Sequence, residues 1–115
     1  MSEAFLGRSI KKYFKAKGYK VSLRRIRLGN CEVDGEAISP DGKRIAIEIK
    51  SYSDDLTRGI GQLTESVVFK YDKSVLVTTL RNARTVNLRV FNHFKWVLIG
   101  VNSKGEIRLI NNEDT

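Results

Sequence analysis

The sequence predicts an α/β fold, with helices packed on one mixed sheet in a single domain spanning residues 1–115. Three observations carry this. Segments with helical apolar spacing alternate with short strand-like runs. One run, Ser74-Val75-Leu76-Val77-Thr78, is apolar at its centre, as expected of a strand covered on both faces. Pro40-Asp41-Gly42 separates two runs with the residue types of a tight hairpin loop, so antiparallel and parallel pairing share a sheet. A chain of 115 residues suits one core, with too little left for a second folding unit.

Ser2 is placed to cap a first helix from Glu3 to about Lys17, with Phe5, Leu6, Ile10, Tyr13 and Phe14 at helical spacing and Gly18 ending it. Glu3, Gly7, Ile10 and Phe14 fall near one face. A strand from about Tyr19 to Leu28 follows, then a Gly29-Asn30 turn and the hairpin of Cys31 to Ser39 with Lys43 to Lys50. Ser53, Asp54 or Asp55 can cap a second helix, Leu56 to Lys70, whose apolar side is Ile60, Leu63, Val67 and Val68. Gly59 and Gly61 weaken it, or allow a close approach to the sheet or a ligand. Lys73 to Thr79 is a buried strand, Asn82 to Phe94 a third helix with Val86, Leu88, Val90, Phe91 and Phe94 inward, and Trp96 to Val101 with Glu106 to Ile110 a C-terminal hairpin.

Seven of the thirteen acidic residues lie between Glu32 and Asp55, in a chain whose net charge is +8. Folding the central hairpin symmetrically about Asp41 pairs Ser39 with Lys43, sets Asp34 opposite Glu48, and sets Glu32 opposite Lys50. Strand alternation puts Ala46, Glu48 and Lys50 on one face and Ile45, Ile47 and Ile49 on the other, with Asp34 and Glu36 facing the same way as Glu48. Opposed carboxylates repel unless one is protonated or a cation lies between them. Mg²⁺ fits, since it takes one or two carboxylates and fills its shell with water and phosphate oxygens. The bland alternative is the solvated, salt-bridged outer face of a half-buried hairpin, and local alternation alone does not choose between them.

The positive balance favours a polyanionic partner, nucleic acid before membrane surface. Arg8, Lys11, Lys12 and Lys15 share the outer face of the first helix, and Arg24, Arg25 and Arg27 crowd the first strand. The N-terminus lacks the pattern of a secretory leader and no apolar run is long enough to span a bilayer, so a soluble, cytoplasmic protein is expected. Cys31 and His93 are each alone, which leaves neither a disulfide, a cysteine-based zinc site nor a histidine triad within the chain.

With Asp34 followed by Glu48-Ile49-Lys50 on a strand-turn-strand between two helices, the sequence resembles the PD-(D/E)XK nuclease superfamily over roughly residues 3–79. That resemblance implies a restriction-endonuclease-like α/β/α sandwich: helix, three-strand meander, helix, strand, then a helix and hairpin. It implies that Asp34, Glu48 and the carbonyl of Ile49 bind Mg²⁺, for which Mn²⁺ substitutes, and that Lys50 assists hydrolysis. Glu3 matches a further carboxylate that many members carry on the first helix, and Gln62 a glutamine found in some repair-type members. Val33 stands where the superfamily's name has proline. The short chain and basic first helix look most like archaeal-type Holliday junction resolvases, and Gly18-Tyr19 with the Asp34 to Lys50 spacing also looks like type IV restriction enzyme catalytic domains.

The expected function is therefore metal-dependent hydrolysis of DNA phosphodiester bonds in recombination or repair, selective for structure over sequence. Lys11, Lys12, Arg24, Arg25, Arg27 and Arg58 would hold the backbone. A junction resolvase would be a two-fold homodimer, since two symmetrical cuts need two sites. The rival readings are a DNA-binding module that keeps the fold without turnover and a structural domain whose charge serves solubility.

Overall fold

Ser2 Oγ accepts the Phe5 N–H at 3.1 Å and so starts the first helix where the capping residue predicts. The computed structural model describes residues 1–29, 31–52, 60, 61, 63, 64 and 71–111. Its elements are α1 (Glu3–Ala16), β1 (Lys20–Ser22), β2 (Ile26–Leu28), β3 (Cys31–Val33), β4 (Gly35–Ile38), β5 (Arg44–Ile49), β6 (Lys73–Thr79), α2 (Leu80–Ala83), α3 (Arg89–Phe94), β7 (Val97–Val101) and β8 (Ile107–Leu109). Ile60, Gly61, Leu63 and Thr64 are helical, and the rest of the second helix expected over residues 56–70 lies outside the described residues.

Six strands form one mixed sheet in the order β1-β4-β5-β6-β7-β8. β5 to β6 and β6 to β7 are parallel, whereas β1 to β4, β4 to β5 and β7 to β8 are antiparallel. The alternation of each central strand separates two cores. Ile45, Ile47, Ile49, Val75, Val77, Val97, Ile99 and Val101 pack with Leu6, Ile10 and Phe14 of α1. On the other face Leu76 and Leu98 pack with Leu63, Ala83, Phe91 and Trp96. Helical residues thus cover both faces of the sheet, which is why β6 reads as an apolar run.

The hairpin register is the one symmetry about Asp41 gives. Gly35 pairs with Ile47, Glu36 with Ala46, Ala37 with Ile45 and Ile38 with Arg44, and the Ser39 N–H donates to Lys43 O at 2.9 Å. Gly42, at φ 86°, closes the loop in the left-handed region that glycine tolerates.

Five expectations are corrected. The strand expected over residues 19–28 is two, because only Lys20, Val21 and Ser22 pair with β4, and β2 pairs with β3 in a separate ribbon. Glu32 accordingly sits opposite Arg27, not Lys50. The third helix breaks in two: Thr79 Oγ1 caps α2 by accepting the Asn82 N–H at 3.1 Å, and Thr85 Oγ1 donates to Asn82 O at 2.7 Å. Asn87 Oδ1 then accepts the Arg89 N–H at 3.0 Å, a local bond that restarts the chain as α3. Of the side chains expected inward there, Phe91 is buried, Val86 and Leu88 are half-buried, and Val90 and Phe94 are exposed. Gly61 is exposed and a Cβ there would meet nothing within 4 Å, so no close approach requires it; Gly59 lies outside the described residues.

Candidate functional site

The site is built where the hairpin leaves the sheet. The Asp34 N–H donates to Ile47 O at 3.0 Å, although Ile47 is the ladder partner of Gly35, so two residues oppose one and form a β-bulge. Beyond it the chain turns away to pair with β2, which would leave the Ile49 N–H without a backbone acceptor. Asp34 Oδ2 takes that N–H at 2.6 Å. The carboxylate is thereby locked onto the strand that carries Glu48 and Lys50.

Gly35 makes this turn sterically feasible. A Cβ on it would lie 2.4 Å from Ser22 O and 2.9 Å from Leu23 Cα, so β1 passes too close for any side chain. Sequence reasoning missed this role; the adjacency of glycine to a candidate ligand within a strand was its only signal.

Glu48 is fully buried on the face away from α1, and neither of its carboxylate oxygens has a hydrogen-bond partner among the described residues. Burial first, and then the neighbouring Asp34 carboxyl, push it up to about 9, against the opposing pull of Lys50. Lys50 Nζ lies 3.7 Å from Glu48 Oε1, and its side chain is 11% exposed. A third atom without a hydrogen-bond partner among the described residues, the buried Thr78 Oγ1, belongs to the strand beside Lys50, whose N–H donates to Val77 O at 2.9 Å. Two orphaned carboxylate oxygens beside a second carboxylate match the donor set of a hard divalent cation: a bound ion would remove the need for a proton on Glu48. Among the described residues no group of three or more His, Cys, Asp and Glu side chains converges.

Asp34 and Ile49 open into a surface groove of about 420 Å³ that is also lined by Glu3, Gly7, Arg8, Lys11, Leu23 and Arg25. Glu3, on the first turn of α1, is exposed and lines this groove together with Gly7, at the end of the helix face that buries Ile10 and Phe14. Arg25 joins it from the connection between β1 and β2, Arg24 is exposed beside it, and Lys12 lies one position beyond Lys11 on the outer surface of α1. Arg27 is exposed on β2, and its Nε donates to Gly29 O at 3.2 Å. Gln62 and Arg58 lie outside the described residues.

Glu36 does not join the site. Its Oε2 accepts from the Tyr71 hydroxyl at 2.8 Å and lies 3.4 Å from Arg44 Nη2, which ties β4 to the start of β6. The same contact, after burial, raises Tyr71 to about 12. Alternation puts Glu36 on the same face as Glu48, but a partner more than thirty residues away claims its carboxylate. His93 is exposed, with its ring edge-on to Phe94 at 4.8 Å.

No helix among the described residues is long and apolar enough to cross a membrane. Comparison with protein-family models and with curated proteins finds no match. Among solved structures the chain is similar to a protein of unknown function from Silicibacter pomeroyi, at 14% identity and a TM-score of 0.71, over 95% of this chain and 69% of that one. That likeness is one of fold: a mixed α/β architecture around a six-stranded sheet.

Proposed function

We propose that this protein is a metal-dependent deoxyribonuclease of the PD-(D/E)XK type, with a restriction-endonuclease-like sandwich as its fold. The observation that carries the reading is Glu48: a fully buried carboxylate with neither oxygen hydrogen-bonded among the described residues, beside Asp34 and 3.7 Å from Lys50. A structural carboxylate would be hydrogen-bonded or exposed, as Glu36 is. Such a cost in folding is expected where a site is arranged for a ligand.

Asp34 and Glu48 would hold Mg²⁺ or Mn²⁺, with the Ile49 carbonyl as a further oxygen. The bound ion would supply Lewis acidity towards a phosphodiester oxygen and make a water acidic enough to attack at neutral pH. Lys50 places its ammonium beside this pair, where it balances the carboxylates and can stabilise charge that develops on the phosphate. Asp34 is held by the Ile49 N–H, so its position does not depend on the ion. Lys11 and Arg25, in the groove that Asp34 opens into, would draw in a phosphate backbone, with Lys12, Arg24 and Arg27 adding long-range attraction.

The test is cleavage of branched, single-stranded and duplex DNA with Mg²⁺ or Mn²⁺, run beside Glu48→Ala and Lys50→Ala. Both substitutions should abolish cutting and leave DNA binding in place. Cutting that survives both would sink the assignment. Salt-sensitive binding with no metal-dependent cutting by the native protein would identify a binding module that keeps the fold without turnover.

A further inference from the structure

Resting on the reading that this protein acts on DNA, we propose that Arg81 of α2 and Arg84, the residue that ends it, form a second phosphate anchor. They stand at the far end of a continuous trough that starts on α1 and takes double-stranded DNA. Arg8 is the hub of this trough. It lines the groove shared with Asp34 and Ile49, an adjoining one with Lys11, Lys12 and Lys15, and a third with Met1 and Ser103. Met1 and Ser103 also line the next groove, which ends on Arg81 and Arg84.

Charge runs one way along this surface. The α1 cations recur at intervals of three and four residues, so they form a single stripe opposite the buried one. Arg81 and Arg84 are three apart at the other end, and all six cations are exposed. The acidic residues lining these grooves are Glu3 and Asp34, both at the candidate site. A polyanion would thus meet cations on either side of the carboxylates and nowhere else encounter negative lining.

The anchor is also fixed relative to the site. α2 begins directly after β6, and Asn82 Nδ2 donates to Ser51 O at 3.2 Å, which ties this short helix to the residue after Lys50. Any phosphate held at Arg81 and Arg84 is therefore registered against Lys50 by one hydrogen bond and one strand end.

The lining selects duplex over single strand. Proteins that take single strands offer exposed aromatic rings for base stacking. Among the described residues the aromatic lining the trough is Phe5, half-buried against the core, while the exposed Tyr52 and Phe94 lie outside it. What remains is backbone recognition. The longest dimension of the molecule is 30 Å, which at about 3.4 Å per phosphate along one strand limits the contact to about nine phosphates per strand.

The experiment is a salt titration of binding to a fluorescent duplex of about 20 base pairs in EDTA, which separates binding from cleavage. Arg81→Ala/Arg84→Ala is compared with Lys43→Ala/Lys95→Ala, which removes the same charge from exposed positions preceding β5 and β7. The arginine variant should bind about tenfold more weakly at about 0.1 M salt, with the slope of log K against log salt reduced by about 2; the control should change less than about twofold. Arg81→Lys/Arg84→Lys should keep the native slope. An arginine-to-alanine variant that matches the control overturns the anchor, as does a lysine variant that loses as much as the alanine one. No duplex binding by the native protein overturns the anchor and the DNA reading together. Intact binding with the expected slope change but no metal-dependent cutting upholds the trough and removes the nuclease.

Discussion

Replacing Glu48 by glutamine should raise the stability of the metal-free protein while ending its proposed chemistry, because one buried carboxyl governs both. In the native state burial and Asp34 hold Glu48 up at about 9, against an ordinary value of 4.5. Below the ordinary value it is protonated whether the chain is folded or not, and it costs nothing extra. As pH rises the unfolded chain releases the proton and the folded one keeps it, so stability falls with pH until the folded group itself ionises. Each pH unit in that window is worth at most about 1.4 kcal/mol, or about 4 kcal/mol between about pH 5 and pH 8. Relaxation around a buried charge beside Lys50 reduces this to about 2 kcal/mol. Glutamine has the same shape and no proton to lose, so its stability should lack this slope. Urea unfolding in EDTA at the two pH values measures it: the variant should gain on the native protein as pH rises. In the presence of Mn²⁺ the order should reverse, since only the native carboxylate binds the ion and gains about 2.7 kcal/mol at a hundredfold excess over Kd. Parallel pH profiles for the two proteins would refute a buried, raised Glu48, and equal stabilisation by Mn²⁺ would refute its role as a ligand.

Three further outcomes follow from contacts in the same region. Gly35→Ala should cost about 1–3 kcal/mol in chemical denaturation, because its Cβ meets Ser22 O at 2.4 Å and backbone has to move; an unchanged midpoint would mean that β1 does not pass there. Asp34→Asn keeps an oxygen for the Ile49 N–H and should fold almost normally without metal-dependent cutting. Asp34→Ala should also lose about 1–3 kcal/mol, and equal stability of the two would remove the hydrogen bond at 2.6 Å from the account. Thr78→Val, which removes a buried hydroxyl without a hydrogen-bond partner among the described residues, should leave the unfolding free energy unchanged or raise it by about 1 kcal/mol; a clear loss of stability would show that the hydroxyl is satisfied.

Much of the site's frame is legible in the chain because it is local. The register of β4 on β5 follows from a loop whose proline and glycine fix its centre, and a period of two then decides that Glu48 and Lys50 leave the isoleucine face. α1 is bounded by its cap at Ser2 and by Gly18 at φ 82°, and β6 spans Lys73–Thr79 because an apolar run between helical segments has few other fates. The parts that failed each depend on a distant partner. The apolar period over residues 82–94 continues through the break between α2 and α3, since half-buried Val86 and Leu88 pack on the same core as Phe91. Glu36 looks equivalent to Asp34 by alternation, and Tyr71 is what removes it.

The sequence by itself determined the hairpin loop and the register of its ladder, because turn chemistry and side-chain alternation act over a few residues; the expectation that Asp34 sits opposite Glu48 is corrected by the bulge, which sets Asp34 against Ile47. Only the tertiary structure decided that the strand would bulge at Asp34 and leave the sheet, that Ile49 would claim the freed carboxylate, and that Glu48 would be enclosed beside Lys50 with neither oxygen hydrogen-bonded among the described residues. Those outcomes depend on where β1, β2 and β6 pass, and burial is a property of neighbours that are far away in the chain.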